Sequence, residues 1–380
     1  MEPQQDLKPA RDSIVNESST IPIYRKYLYP TGLGLALIVA FAIWYYYPSN
    51  ENNDMRISEK FEEGFKHHAV GEYDQAIAAL SDASRDATDP TTRARIDVLL
   101  AYNLYFRNQN DDRERAIALY QSIVDDFTVA PQTRAGALTD LAIFAGDMSE
   151  ATYQRYLGGT PYGPLLTPNP SDRFSTLKAS NAILEQVLDI YPRSFVYYSL
   201  ANNYSTLILN KATGGEPEEA VAQKIQAYIK EGDAIRDEGT YEQSVVLRRL
   251  LYRAIGLAVS DRILHNVSLS EREAAYNAAL GGDVSTSHQY INLTQMQARF
   301  TYAIFLLNNF DPGMRDKDIV EVLKPFAAAT KPEPVYAQTR NLFTTLGMAP
   351  DSSFSKSQAV KLAAISPEFK TFLESLNWEL

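Results

Sequence analysis

The sequence predicts an all-α fold: an α-solenoid of antiparallel helix pairs preceded by a single transmembrane helix. Three observations predict it. One uncharged stretch, Tyr27 to Asn50, stands near the start of an otherwise polar chain. Beyond Asn53, apolar residues recur at three- and four-residue steps with no sustained period-two alternation, which is the pattern of amphipathic helices rather than strands. Short glycine-containing turns join these segments, too short for anything but antiparallel helical hairpins.

The uncharged stretch comes first. From Leu28 to Tyr47 the run LYPTGLGLALIVAFAIWYYY is long enough, at about 1.5 Å per residue, to cross the roughly 30 Å hydrocarbon core of a bilayer. Tyr24, Tyr27 and Tyr29 precede its apolar centre, and Trp44, Tyr45, Tyr46 and Tyr47 follow it, as an interfacial aromatic belt requires. Pro30 falls in the first turn, where a missing N–H costs nothing. Arg25 and Lys26 abut the amino-terminal side, whereas Glu51 and Asp54 are the first charges beyond the far side. The positive-inside rule therefore assigns 1–26 to a cytoplasmic tail, 27–48 to a single-pass signal anchor, and the remainder to the extracytoplasmic face, with a bacterial inner membrane as the expected location. A cleaved signal peptide would need a shorter core and a small-residue cleavage site, and this core ends in Trp-Tyr-Tyr-Tyr-Pro.

Composition narrows the function classes. The chain has 380 residues and a formal charge of −11. The first 48 residues balance four cations against four anions, so the excess belongs to the helical region. Nucleic acid is excluded as an expected partner, because it demands a basic footprint. Cysteine is absent, which removes disulfides, thiolate catalysis and Cys-ligated zinc.

The first helix pair is the clearest. Ile57, Phe61, Gly64, Phe65 and His68 share one face, Tyr73, Ala76, Ile77, Leu80 and Ala83 share another, and Val70-Gly71-Glu72 turns the chain between them. Gly64, Ala76 and Ala83 are small enough to let two helix backbones approach. This order, Gly64, Gly71, Tyr73, Ala76, Leu80 and Ala83, resembles the tetratricopeptide repeat (TPR), a helix-turn-helix unit with small residues where its helices cross. A second unit follows in Leu100, Ala101, Ala116, Ile117, Tyr120 and Ile123, with a longer turn at 108–112. Residues 184–192, LEQVLDIYP, match the second helix of a further unit, and Phe195 to Leu209 begins the next. The resemblance is good over 56–131, thin over 172–260, and reduced to a helix-pair rhythm after that.

The predicted organisation is then TPR-like repeats over 55–157, a Pro/Gly loop or hinge over 158–171, and a second helical-repeat region over 172–380. No helix could contain LGGTPYGPLLTPNPS. Gly214-Gly215-Glu216-Pro217-Glu218-Glu219 reads as one helix stop and the next start. Ser366-Pro367-Glu368 opens a last amphipathic helix, with Phe369, Phe372, Leu373, Leu376 and Trp378, that caps the stack.

Nothing in the sequence nominates a catalytic residue, a cofactor or a metal. His67 and His68 are adjacent on one helix and point about 100° apart, which does not make a chelating pair. No phosphate-loop, dinucleotide or nucleophile-elbow motif is present, and acidic runs such as Asp111-Asp112 read as solvated faces or helix starts. Tyr102, Asn103, Tyr105, Tyr197, Tyr198 and Asn202 fall on first helices of their units, which line the concave face in the family that the repeats resemble. They are therefore the candidate partner-binding residues, with packing between repeats as the competing role.

The functional expectation is a non-enzymatic, membrane-anchored scaffold that binds a protein or extended peptide on the extracytoplasmic face. Its layout is similar to bacterial envelope TPR proteins with one amino-terminal helix. The alternative is an all-helical small-ligand or glycan binder, or an enzyme, with a pocket beside the 157–171 loop.

Overall fold

A computed structural model describes residues 54–167, 174–235, 243–281, 288–351 and 353–380. The proposed span at 27–48 lies outside them. Among the described residues no helix is long and apolar enough to cross a membrane, and every regular element is helical.

The first pair is α1 (Asp54–Val70) and α2 (Tyr73–Asp86). Gly71 takes φ +80, a left-handed conformation, and lets its own N–H reach the His68 carbonyl while the Glu72 N–H reaches His67. At Gly64 a Cβ would stand 2.7 Å from Leu80 Cγ, so the two backbones approach as closely as the small residues suggested. Ala76, Leu80 and Ala83 complete that face with no exposed surface.

The second pair is α3 (Pro90–Arg107) and α4 (Asp112–Asp125). Asp89 caps α3 by accepting from the Thr92 N–H at 2.7 Å, and Pro90 opens the first turn, where proline is pre-organised. The longer turn at 108–111 is present, with Asn108 and Asn110 at positive φ. Asp112 closes it. Its carboxylate, with a side chain only 2% exposed, accepts Arg107 Nε and Nη2 at 2.7 Å each and the Gln109 N–H at 2.9 Å. The acidic run at this position is thus a helix start, with Asp112 buried and paired and Asp111 exposed. Ala101, Ala116 and Tyr120 pack between these helices with no exposed surface.

α5 (Pro131–Asp147) and α7 (Ser175–Ile190) pack against each other, with the short α6 (Glu150–Leu157) and the proline-rich segment emerging between them. That segment joins two helices of one pair. α8 (Ser194–Leu209) pairs with α9 (Glu218–Ala234), and both pack on α10 (Gln243–Leu264), which pairs in turn with α11 (Leu269–Leu280). α12 (Gln289–Asn309) follows.

The remainder is less regular. It comprises α13 (Asp316–Leu323), 3-10 turns at Lys324–Thr330 and Pro334–Tyr336, α14 (Ala337–Gly347), α15 (Phe354–Ile365) and α16 (Pro367–Glu374). Ser366 caps α16 by accepting from the Phe369 N–H. Phe369, Phe372 and Leu373 are fully buried, and Trp378 Nε1 donates to the Phe343 carbonyl at 3.0 Å. The buried apolar residues from Ile57 to Trp378 form one connected core, with a small satellite around Phe174, Leu177 and Leu207.

One contact departs from an array in which each unit touches only its neighbours. The start of α12 reaches back to the first pair. Gln289 Nε2 donates to the His68 carbonyl, 221 residues away in sequence, at 3.4 Å. The Tyr73 and Tyr290 hydroxyls lie 3.3 Å apart, and Gln338 Nε2 donates to Tyr73 at 3.4 Å. The His68 and Tyr290 rings sit 5.3 Å apart and the Phe65 and His288 rings 6.0 Å apart. The described helices therefore close on themselves through an aromatic seam.

Candidate functional site

The seam covers two of the six predicted partner-binding residues, Tyr102 and Asn103, and packing between neighbouring helices covers Tyr105 beside them. Tyr102 and Asn103 have no exposed surface, and Tyr105 is 7% exposed. Tyr102 packs on Phe106 at 4.7 Å and faces Tyr290 at 6.4 Å, while Tyr105 stacks on Phe144 at 3.7 Å with ring planes 4° apart. Asn103 Nδ2 donates to the Leu99 carbonyl at 2.7 Å, and its Oδ1 accepts from His68 Nδ1 at 3.2 Å. These three residues lie on the inner face of α3, but α5 and α12 cover that face. Contact with a partner there would require the seam to open.

One of the two tyrosines on α8 is covered as well, by its own neighbouring helices. The Tyr198 hydroxyl donates to Asp233 at 2.6 Å, and Arg253 holds the other edge of that carboxylate at 2.9 Å, so the three residues tie α8, α9 and α10 together. Arg253 keeps the Asp233 carboxyl below the ordinary range in spite of its burial. Tyr197 is half-buried beside the Tyr228 ring.

Asn202, one helical turn further along α8, differs. It lines a cleft of about 330 Å³ walled by α8, α10, α11, α12, α14 and the start of α15. The floor and walls are largely aromatic and aliphatic, including Tyr252, Phe300, Phe305 and Phe343, with Arg262 and Phe354 also in the lining. None of residues 157–167 lines it.

The amides in this cleft fall into two groups. Asn308 Nδ2 donates to Ile304 O and Gln358 Oε1, and Asn309 donates to Phe305 O and accepts from Arg272, so both are committed to the fold. The side-chain amides of Asn202 and Gln297 have no intramolecular partner among the described residues, although Asn202 is only 6% exposed. The polar atoms of Asn202 are not among the enclosed unpartnered side-chain atoms, so they face the open space of the cleft, where water or a ligand can meet them. The cleft thus presents two free amides over an apolar floor, an arrangement that can hold and orient a group rich in both. Among the described residues no Asp, Glu or His lines it.

His68 and His288 belong to the seam. Burial drives His68 down to about 3 and His288 down to about 4, so both imidazoles are neutral. Deeper in the first half, burial raises the Asp140 carboxyl well above its ordinary value and Asp147 to about 7. Among the described residues no group of His, Asp and Glu could hold a metal ion.

Sequence reasoning reached Asn202 and missed the other wall. Its signal is Gln297, Thr301, Ile304 and Asn308, a stripe at helical spacing on α12 that puts amide and hydroxyl groups beside apolar ones on a single face. No family model, curated protein or solved structure matches the chain.

Proposed function

We propose that this chain is a membrane-anchored helical-repeat protein of the TPR-like kind, which holds an extended peptide segment of a partner in the cleft between α10 and α12. The single observation that carries this reading is the Asn202 amide, which borders the cleft without an intramolecular partner among the described residues, with the Gln297 amide likewise on the facing helix. Peptide groups present one donor and one acceptor per residue and match such amides, while their apolar side chains match the Phe300 and Phe343 floor. The repeat signature and the 27–48 span support the solenoid and anchor parts, and the charge pattern supports an extracytoplasmic domain.

A photoreactive residue at Thr301, in the cleft, tests the reading in native membranes against the same residue at Tyr197 outside it. A discrete protein adduct from Thr301 alone is expected. Its absence from a folded variant, or equal yield from both positions, refutes the cleft as the peptide site. A small-ligand reading has one observation in its favour, since the volume falls in the range of about 300–1,000 Å³ common to such pockets. It would show as a low-mass adduct from Thr301.

A further inference from the structure

Phe127 is the most exposed large apolar side chain among the described residues, at 83%. A single exposed apolar residue is ordinary on a protein surface. This one is held outward by a built turn between α4 and α5. The Asp126 carboxylate accepts the Thr128 N–H at 2.9 Å and the Thr128 hydroxyl at 2.7 Å, and the Val129 N–H reaches the Asp126 carbonyl at 3.1 Å. The Ala130 N–H donates to Thr91 Oγ1 at 3.1 Å, which ties the turn to α3. The Arg134 guanidinium lies 4.0 Å from the centre of the Phe127 ring while its Nε donates to the Val124 carbonyl at 2.8 Å, so it braces one face of the ring. The Phe127 N–H and C=O have no partner among the described residues. Asp125 and Asp126 are exposed, and neither makes an ion pair among the described residues.

The cleft is the complement of this turn. Its floor, with Phe300 and Phe343, suits an aromatic ring, and the Asn202 and Gln297 amides suit one free N–H and one free C=O. Arg262 is the one charged side chain in its lining among the described residues; it is exposed and makes no ion pair there. An aromatic tip flanked by two carboxylates thus faces, in the same protein, an aromatic cleft with a lone cation. The two do not meet within one chain, because the turn is pinned to α3 and no residue before Asn202 lines the cleft.

We propose that the Phe127 turn of one copy docks in the cleft of a second copy. The ring lies on the aromatic floor, the Phe127 backbone pairs with Asn202 and Gln297, and Asp125 with the free edge of Asp126 faces Arg262. This inference rests on the cleft being a protein-binding site, as above, and names the partner as the chain itself. Each copy carries one turn and one cleft, so the contact closes either reciprocally in a two-fold dimer or head to tail in a ring. A contact this small is weak between free molecules. The anchor proposed at 27–48 would hold the copies in one plane and raise their effective concentration.

The test uses two differently tagged full-length chains in the same membranes, one of them with a photoreactive residue in place of Thr301. The expected adduct carries both tags, and its crosslinked peptide covers Phe127. Phe127→Ala in the other copy is expected to lower the yield about tenfold or more, as loss of an anchoring side chain does, with melting unchanged because the ring is exposed. Arg262→Glu in the photoreactive copy lowers it too, and Asp125→Arg in the other copy restores part of it, a rescue that a folding defect would not allow. An adduct with a different protein, unaffected by Phe127→Ala, overturns self-docking and leaves the peptide cleft standing. A two-tag adduct that survives Phe127→Ala at full yield overturns the assignment of this turn. A low-mass adduct alone, or no adduct from a folded chain, overturns the cleft as a protein site and this inference with it.

Discussion

Truncation of Tyr290 tests whether the helices close on themselves. Tyr290 has no exposed surface and packs against His68 and Tyr102 of the first two pairs, with its hydroxyl 3.3 Å from that of Tyr73. Removing a fully buried aromatic ring to alanine costs about 3–5 kcal/mol where the site cannot collapse. This site is flanked by helices held by their own pairs, so little collapse is available. The hydroxyl contact is long and contributes little, and Tyr290→Phe is expected to cost under about 1 kcal/mol. The loss falls on the contact between α12 and the first pair, so it is read locally by hydrogen exchange. In Tyr290→Ala the amides of α1 and α2 are expected to exchange on the order of 10²-fold faster or more. Those of α15 and α16, which Tyr290 does not touch, keep their protection. Unchanged protection across α1 and α2, with loss confined to α12, would refute the seam and restore an open array.

Asp112→Ala is expected to cost about 2–4 kcal/mol in urea unfolding, at the lower side of a broken buried pair because Arg107 is one-fifth exposed and keeps Asp74 at 2.9 Å. Arg107 holds the Asp112 carboxyl below the ordinary range. The advantage of wild type over Asp112→Asn is therefore flat from pH 7 to about 4 and disappears as the pH falls further, through the depressed folded value. The histidines act over a higher window. His68 is held down to about 3 when folded, so its neutral form favours the fold above about pH 6.5, and that advantage drains away as the unfolded chain takes up protons below it. The stability gap between wild type and His68→Asn is expected to narrow by about 1.4 kcal/mol per pH unit between about 6 and 4, and a pH-independent gap would count against a buried neutral imidazole. For topology, the natural absence of cysteine makes Gln5→Cys and Glu62→Cys clean reporters. An impermeant maleimide should modify only the second in intact cells, and the reverse pattern would place the helical domain in the cytoplasm.

What the sequence made legible was local. Gly64, Gly71, Ala76, Leu80 and Ala83 announce the first pair because a close helix crossing and a left-handed turn each demand particular residues nearby. Ser366 and Pro367 announce the last helix for the same reason. The seam was not legible, because it joins residues more than two hundred positions apart and leaves no periodicity of its own. That gap explains the placement of Tyr102, while Tyr105 and Tyr198 are covered by neighbouring helices through Phe144 and Asp233. Tyr102 and Tyr105 sit on an inward face, and helical spacing alone does not say whether an inward face meets a partner or another helix. Asn202 lies on the cleft because α8 forms part of its wall opposite α12.

The seam and the cleft are two ends of the same helices. α12 runs 21 residues, about 30 Å at 1.5 Å per residue, from Tyr290 at the seam to Asn309 at the cleft. α14 carries Gln338 at the seam and Leu342, Phe343 and Leu346 at the cleft. Phe300 of α12 and Phe343 of α14 meet at 5.1 Å and both lean on Phe369, so these helices are fixed to each other by the aromatic cluster under the cleft. The Tyr73 hydroxyl touches both of them, but through contacts of 3.3 and 3.4 Å that hold weakly. A ligand that shifts α12 against α14 works against the rigid cluster first and against Tyr73 only at the margin. Coupling between cleft and first pair therefore depends on the packing of the Tyr290 ring more than on its hydroxyl. Being a linkage, it acts equally in both directions: whatever occupancy contributes to closing the seam, a closed seam returns to affinity.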